Sequence, residues 1–263
     1  MSSSEIRLTD ADARAVYDGK YGNKPDLGWG PRLRLSFNYF SPDEYYEAMV
    51  GKLVSEGCNW AEVGCGRDVF PSNPDLANEL ASRAGKLLGI DPDPNVKENP
   101  FVTEYFHGAV EDYQNAEEFD LITLRMVAEH IENPESALGA MVRLMAPGSR
   151  LVIYTPNKWA PMSVLAKITP LSVHHFFKKI LWNTDERDTF PVQYKMNTHR
   201  DLKRLAEGAR LKEEFFAYLD DCRIFGGYKF LNRIELSIRT VFRKLGLPHP
   251  ENCILAVYLK PAD

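Results

Sequence analysis

The 263-residue sequence contains only four cysteines and no long apolar run. Cys58, Cys65, Cys222 and Cys253 form no Cys-x-x-Cys pair, so we expect reduced thiols rather than a zinc site or a disulfide framework. No apolar stretch approaches the roughly 20 residues of a membrane span, and no secretory leader is visible at the amino terminus. We therefore expect a cytoplasmic protein with no membrane span.

The sequence also lacks an excess of positive charge, because 37 acidic residues outnumber its 32 basic residues. Proteins held to nucleic acid by phosphate contacts normally carry a basic excess or a basic patch. We therefore expect no nucleic-acid partner, although a local basic patch is compatible with this balance.

Two motifs that bind nucleotide phosphates are incomplete. After the turn Gly64 to Gly66, Val69 replaces the third glycine of Gly-x-Gly-x-x-Gly, and Asp68 stands where a phosphate would lie. No Gly-Lys-Ser/Thr sequence of a P-loop is present. A cationic nucleoside without phosphates therefore fits this turn better than a dinucleotide.

Strands and helices alternate along the middle of the chain. The pattern predicts strands over 58–63, 86–91, 101–107, 119–125 and 150–155, with helices that start at Pro74 and Pro134. Two final strands are predicted over 211–219 and 252–260. The alternation predicts an α/β fold with a doubly wound, mostly parallel seven-stranded sheet.

An apolar stripe at helical spacing lies between the last two predicted strands: Leu231, Ile234, Ile238, Val241, Phe242 and Leu245. We expect this face of the helix to pack on the edge of the sheet. A membrane-contacting or lid role is the alternative.

Two short motifs end successive predicted strands. The first is Glu62-Val-Gly-Cys-Gly66, whose glycines let a ligand approach the backbone closely. The second is Gly89-Ile-Asp91, where a carboxylate can accept both ribose hydroxyls of a nucleoside. Because ligands bind at the carboxyl ends of strands in such sheets, we expect both motifs at one site.

Together with four further segments, these motifs resemble the class I S-adenosylmethionine-dependent methyltransferases, in their small-molecule branch. The segments are 108–112, 119–125, 129–134 and 145–148, and they follow the order and register of that family. The resemblance implies a Rossmann-like methyltransferase fold, S-adenosyl-L-methionine as cofactor and a small-molecule methyl acceptor. It covers 58–156 most closely.

The resemblance also implies which residues hold the cofactor. The glycine-rich turn would hold the amino-acid part, Asp91 the ribose, and the turn after Gly108 would border the adenine. Ala109 replaces an acidic residue common in the family, so the adenine contact is either backbone only or made by Glu111 or Asp112. The predicted cofactor-binding residues are Glu62, Gly64, Cys65, Gly66, Asp91, Pro92, Val110, Glu111 and Arg125.

Four parts follow from this organisation. Residues 1–57 form an N-terminal helical segment that covers the cofactor site, and 58–156 form the cofactor-binding core. Residues 157–197 form a lid or acceptor-binding insertion after the fifth strand, and 198–263 complete the core sheet with an added helix. Scattered aromatic residues in 157–197 predict an apolar or aromatic acceptor.

Three histidines are the predicted catalytic residues. Methyl transfer depends chiefly on orientation, and a hydroxyl or protonated amine acceptor also needs a base. His130 follows the fourth strand, while His174 and His175 lie in the predicted lid. Neighbouring side chains diverge on a helix or a strand, so only one of His174 and His175 should face the site.

A metal site is not expected. Some quinone-pathway relatives bind a divalent ion near the turn that corresponds to Glu129-His130. The third carboxylate would lie three residues earlier, where this sequence has Met126, and a thioether is a poor ligand for a hard cation.

Other functions stay open: a methyltransferase acting on protein or RNA, a nicotinamide oxidoreductase, or a non-catalytic S-adenosylmethionine-binding module.

Overall fold

A computed structural model describes residues 6–22, 27–115, 117–161, 191–247 and 249–262. Helices in these ranges are α1 (Asp10–Tyr21), α2 (Trp29–Ser36), α3 (Pro42–Leu53), α4 (Pro74–Arg83), α5 (Pro134–Leu144), α6 (His199–Gly208) and α7 (Lys229–Lys244). The strands are β1 (Asn59–Val63), β2 (Lys86–Asp91), β3 (Glu104–His107), β4 (Phe119–Arg125), β5 (Met145–Pro156), β6 (Lys212–Asp220) and β7 (Glu251–Leu259).

The seven strands form one sheet in the order β3-β2-β1-β4-β5-β7-β6. Neighbouring strands from β3 to β5 pair in parallel, and β7 runs antiparallel to both β5 and β6. The predicted α/β fold with a mostly parallel seven-stranded sheet is therefore confirmed. The predicted lid is not tested, because 162–190, including His174 and His175, lies outside the described residues.

Helices cover both faces of the sheet, as a doubly wound arrangement requires. On one face, Met141 of α5 and Leu202 of α6 pack in an apolar cluster with Ile122 of β4. On the other face, α3 and α4 pack against β1 and β4 in a second cluster that includes Trp60 and Leu121. Burial of both faces explains why β4 is almost continuously apolar.

Two predicted strand ends differ from the structure by more than one residue. β3 begins at Glu104 rather than at residue 101, because the Phe101 N–H is satisfied by the side chain of Asn99 at 3.1 Å. β5 begins at Met145 rather than at residue 150, and Met145 pairs with Phe119 through an irregularity in the β4–β5 register.

Buried charges tie the N-terminal helices to the core. Arg34 of α2 pairs with Glu44 at 3.1 Å, and Lys20 of α1 lies 3.6 Å from Glu47. Asn73 donates to Glu47 at 2.7 Å, which links α3 to the start of α4. These contacts join α1, α2 and the start of α4 to α3, and the covering of the cofactor site by 1–57 stays a prediction.

The apolar stripe of α7 does not pack on the sheet edge, so that expectation was wrong. Val241 is 52% exposed and Leu245 is 65% exposed. The buried residues of the helix are Asn232, Leu236 and Arg239. Polar contacts thus hold α7 in place and turn its stripe outward. No helix among the described residues combines the length and the apolar character needed to cross a membrane.

Candidate active site

A cavity of about 960 Å³ opens where β1, β2 and β4 end. Its floor is formed by the turn after β1 and the end of β2, and its wall by the turn after β4. The lining residues are Val63, Gly64, Ile90, Asp91, Pro92, Gly108, Ala109, Val110, Glu111, Met126, Val127, His130, Ile131, Glu132, Asn133, Ala137, Pro191, Gln193 and Lys195. The cavity therefore lies at the carboxyl edge of the sheet, where a ligand was predicted.

The turn after β1 needs glycine at position 64. Gly64 has φ of +75°, and a Cβ there would lie 2.1 Å from a methyl carbon of Val127. The Gly64 N–H donates to the carbonyl of Ile90 at 2.7 Å, which joins the turn to β2. A larger residue would push the β1 and β4 turns apart and deform the cavity floor.

The Asp91 carboxylate closes the end of β2 and lines the cavity. One oxygen accepts the N–H of Gly66 and the other accepts the N–H of Asp93, each at 2.7 Å. Burial raises the pKa of Asp91, and these two backbone bonds oppose the rise. Because a carboxylate offers about four lone pairs, two remain for ligand hydroxyls.

The predicted site residues fall into two groups. Gly64, Asp91, Pro92, Val110, Glu111 and His130 line the cavity. Glu62, Cys65, Gly66 and Arg125 are not among its lining residues. Gly66 acts on the site through its bond to Asp91, and the Cys65 thiol, whose pKa burial raises, packs beneath the turn near Gly89.

Glu62 lies under the cavity floor in a buried polar network. It is 1% exposed, accepts a hydrogen bond from the Thr123 hydroxyl and lies 3.5 Å from the hydroxyl of Tyr46 on α3. The indole of Trp60 donates to Thr123 at 2.6 Å. Burial raises the pKa of Glu62 to about 8, so the side chain is largely protonated at neutral pH.

A second buried cluster joins α3, β4, β5 and the segment after β6. Asp43, at the start of α3, pairs with Arg125 at the end of β4 and with Arg223 after β6. The Tyr154 hydroxyl also donates to Asp43 at 3.3 Å. Burial disfavours the charged carboxylate, but the two guanidinium groups outweigh it and lower the pKa of Asp43 to about 2. The cluster fixes Arg125 directly before the cavity-lining Met126.

His130 is held in the cavity wall by its neighbours. Its Nδ1 lies 3.2 Å from the carbonyl oxygen of Pro191, and because a carbonyl only accepts, Nδ1 carries the proton in this contact. Nε2 lies 3.9 Å from the Glu129 carboxylate. Burial raises the pKa of Glu129. In this tautomer the ring lone pair is on Nε2.

Comparison with known families decides the identity. A family profile described as a methyltransferase domain matches residues 32–212, well over half of the chain. The chain is a class I S-adenosylmethionine-dependent methyltransferase. The predicted family is thereby confirmed, and the methyl donor of this methyltransferase is S-adenosylmethionine.

Two curated relatives of the methyltransferase carry names from ubiquinone biosynthesis. The mitochondrial ubiquinone biosynthesis O-methyltransferase of Schizosaccharomyces pombe is 26% identical over 184 residues, 63% of this chain and 64% of the relative. The ubiquinone biosynthesis O-methyltransferase of Salmonella typhi is 28% identical over 161 residues, 59% of this chain and 61% of the relative. The matches thus span less than two thirds of the length of these relatives. Because one of them is named as mitochondrial, the cytoplasmic location of this chain stays a prediction.

A solved structure supports the fold of the methyltransferase. The N-methyltransferase NodS from Bradyrhizobium japonicum WM9 is 17% identical, with a TM-score of 0.50. The alignment covers 84% of this chain and 97% of NodS.

The cavity of the methyltransferase suits its cationic cofactor. Three carboxylates line it, those of Asp91, Glu111 and Glu132, against the one ammonium group of Lys195, so the balance of charge favours a cation. A Cβ at Gly66 would meet nothing within 4 Å, so open space lies beside the turn. The donor set therefore fits a nucleoside with a sulfonium group.

Sequence reasoning missed much of the cavity wall: Met126, Val127, Ile131, Glu132, Asn133, Gln193 and Lys195. Residues 126–133 directly follow β4, so their place at the carboxyl edge was available as a signal. Gln193 had no such signal, because it reaches the wall through a backbone hydrogen bond of 2.6 Å from its N–H to the carbonyl of Glu129.

We expect the stability of the methyltransferase to depend on pH through Glu62. Its pKa is raised from 4.5 to about 8 in the folded state. The contribution of Glu62 to the free energy of unfolding is therefore fully present below its pKa in the unfolded chain, and it is lost as the pH rises through 8. The free energy of unfolding should fall by up to a few kcal/mol between about pH 5 and pH 9, measured by urea denaturation. Glu62→Gln should flatten that slope, whereas Glu56→Gln, at an exposed position, should not. Parallel slopes for the parent and Glu62→Gln would contradict this assignment.

We expect turnover to persist in EDTA. Met126 occupies the position of the third carboxylate next to Glu129 and His130, and its thioether is a poor ligand for magnesium. Among the described residues, one group of three potential ligands, Asp220, Cys222 and His249, lies within 4.8 Å of one another, outside the cavity. Initial rates with and without chelator test this; a loss restored by magnesium or zinc would show that the enzyme needs a metal.

Proposed function

We propose that the methyltransferase methylates a hydroxyl oxygen of a small, apolar or aromatic organic acceptor. The observation that carries this proposal is that the Asp91 carboxylate, which can accept ribose hydroxyls, and the His130 imidazole line one cavity. The names of its relatives in ubiquinone biosynthesis support oxygen as the acceptor atom. Val127 and Ile131 in the same wall support an apolar acceptor.

In this proposal the chain holds the cofactor along the edge formed by β1, β2 and the turn after Gly108. Asp91 accepts the ribose hydroxyls, and Pro92 and Val110 flank the nucleoside. The turn at Gly64 presents its backbone to the amino-acid part. Glu62, Cys65 and Arg125 do not line the cavity; they support the site by holding that turn and the end of β4 in place.

When bound, S-adenosylmethionine supplies an electrophilic methyl group. The protein's share of the rate then comes from orientation of the acceptor and from exclusion of water. His130 accepts the acceptor's hydroxyl proton at Nε2, because Nδ1 is engaged by Pro191. General bases in such positions are worth about 10²–10⁴-fold in rate.

Labelled S-adenosylmethionine identifies the acceptor directly. The enzyme is incubated with methyl-labelled cofactor and a cell extract, and the label is followed into small-molecule, protein and nucleic-acid fractions. We expect the label in an organic-extractable small molecule, with His130→Ala as the weakened control. Label in protein or RNA would overturn the proposed acceptor, and cofactor binding without any transfer would favour a non-catalytic module.

A further inference from the structure

Helix α7 presents an apolar arc to solvent. At about 100° per residue, six side chains fall within roughly a third of the helix circumference. Each of the six is at least 41% exposed: Phe230, Leu231, Ile234, Ile238, Val241 and Leu245. Scattered exposed apolar residues are ordinary, but a continuous arc of this kind indicates an interaction surface.

Polar contacts on the opposite side fix the rotation of α7. The Arg239 guanidinium, 4% exposed as a residue, pairs with Asp220 and lies 4.7 Å from the ring centroid of Tyr39. The Asn232 amide donates to the carbonyl of Cys222 at 2.7 Å. Rotating the arc inward would break these contacts and leave Asp220 without its guanidinium partner, so the outward arc is a built feature of the fold.

The helix is basic in an acidic chain. α7 contains five basic residues and one acidic residue, whereas the whole chain has a net charge of −5. Lys229, Arg233 and Lys244 are exposed and lie along one border of the apolar arc. The occupant of this surface therefore has an apolar part and, beside it, negative charge.

We propose that α7 seats the enzyme on an anionic lipid surface. Its apolar arc would enter the boundary between headgroups and acyl chains, and the three basic side chains would meet lipid phosphates. A second copy of the chain fits less well, because two basic helices would then face each other. The helix would lie on the membrane, since α7 has 16 residues and no described helix is long and apolar enough to cross it.

This surface shares an edge of the sheet with the active-site cavity. β6 and β5 are both antiparallel to β7, so β6 ends at the same edge as β5, and α7 follows β6. Pro161, five residues after β5, lines a groove together with Leu231, Ile234 and Ile238 of the arc. If the acceptor is apolar, as proposed above, membrane-bound enzyme would hold its cavity close to the lipid that dissolves the acceptor.

Flotation with lipid vesicles tests the proposal on the full chain. One set of vesicles contains phosphatidylcholine alone and the other also contains phosphatidylglycerol. We expect the parent to float with the anionic vesicles, less so at high salt, and only weakly with the neutral ones. The triple variant Phe230→Ser, Ile234→Ser, Ile238→Ser should bind at least about tenfold more weakly, as should Lys229→Glu, Arg233→Glu, Lys244→Glu.

Matched controls separate lipid binding from general effects. Tyr105→Ser removes an exposed aromatic on β3, at the other end of the sheet, and Lys203→Glu reverses an exposed charge on α6. Both should float like the parent, and all variants should keep its unfolding midpoint. The proposal is overturned if the two control variants lose vesicle binding as much as the triple variants do, or if the parent does not float with the anionic vesicles.

Two measurements without lipid test the other occupants. A dimer that dissociates in the serine variant would show that a second copy covers the arc and would overturn the lipid proposal. A Phe230→Trp variant whose emission is already blue-shifted in buffer would show that another part of the chain covers it. Transfer to a water-soluble acceptor tests the proposed function separately, because the serine variant should keep that activity.

Discussion

Replacing Asp91 by alanine is expected to weaken S-adenosylmethionine binding at least tenfold. In the proposed site, the change removes two charge-assisted hydrogen bonds to the ribose, each worth about 1.5–3 kcal/mol at the upper end. It also frees the N–H groups of Gly66 and Asp93, which the carboxylate now accepts. Titration calorimetry gives the affinity, and thermal unfolding checks that the fold survives, since Asp91 stands at the end of a strand.

Asp68→Ala is the matched control for this experiment. Like Asp91→Ala, it removes one carboxylate, here from the turn after β1. Asp68, however, is exposed and does not line the cavity. Its affinity should equal that of the parent. Unchanged affinity in Asp91→Ala would place the cofactor elsewhere in the chain and would remove the basis of the proposed site.

Replacing His130 by alanine is expected to lower kcat at least 100-fold, within the range for loss of a general base. The Kd for S-adenosylmethionine should stay within about twofold, because in our proposal His130 faces the acceptor rather than the cofactor. Single-turnover kinetics on the identified acceptor measure the first effect, and titration calorimetry measures the second.

His199→Ala controls for the loss of a histidine away from the cavity. His199 pairs with Glu213 and stacks on Phe216, so turnover should be unaffected. If His130→Ala turns over like the parent, the base is elsewhere. The test then moves to His174→Ala and His175→Ala, of which we expect one to lose about 100-fold and the other to lose little.

The parts of the fold that the sequence predicts well are those with a local cause. β2 matches its predicted range because the apolar run ends at Asp91, and α4 matches because Asn73 and Pro74 mark its start and Arg83 precedes Gly85. The site motifs at Gly64 and Asp91 are equally local, since each directly follows or ends a strand. Such signals depend only on residues a few positions apart.

The parts of the fold that the sequence predicts badly depend on residues far apart in the chain. The period of the α7 stripe shows which residues share a face, but not whether that face turns inward. Its direction is set by Arg239 pairing with Asp220 and packing on Tyr39. Gln193 and Lys195 in the cavity wall likewise depend on contacts with the turn at 129–132, more than 60 positions earlier.

The order of the strands has a consequence for synthesis on the ribosome. β7 lies between β5 and β6, so β6 has no partner in the sheet when it leaves the exit tunnel, and α7 must also be made before β7 arrives. Until then the nascent chain presents an open edge on β5 and an unpaired β6 at the same time. Unpaired strand edges of this kind recruit other chains. The interval between synthesis of β6 and insertion of β7 is therefore the stage at which a chaperone would protect this enzyme most.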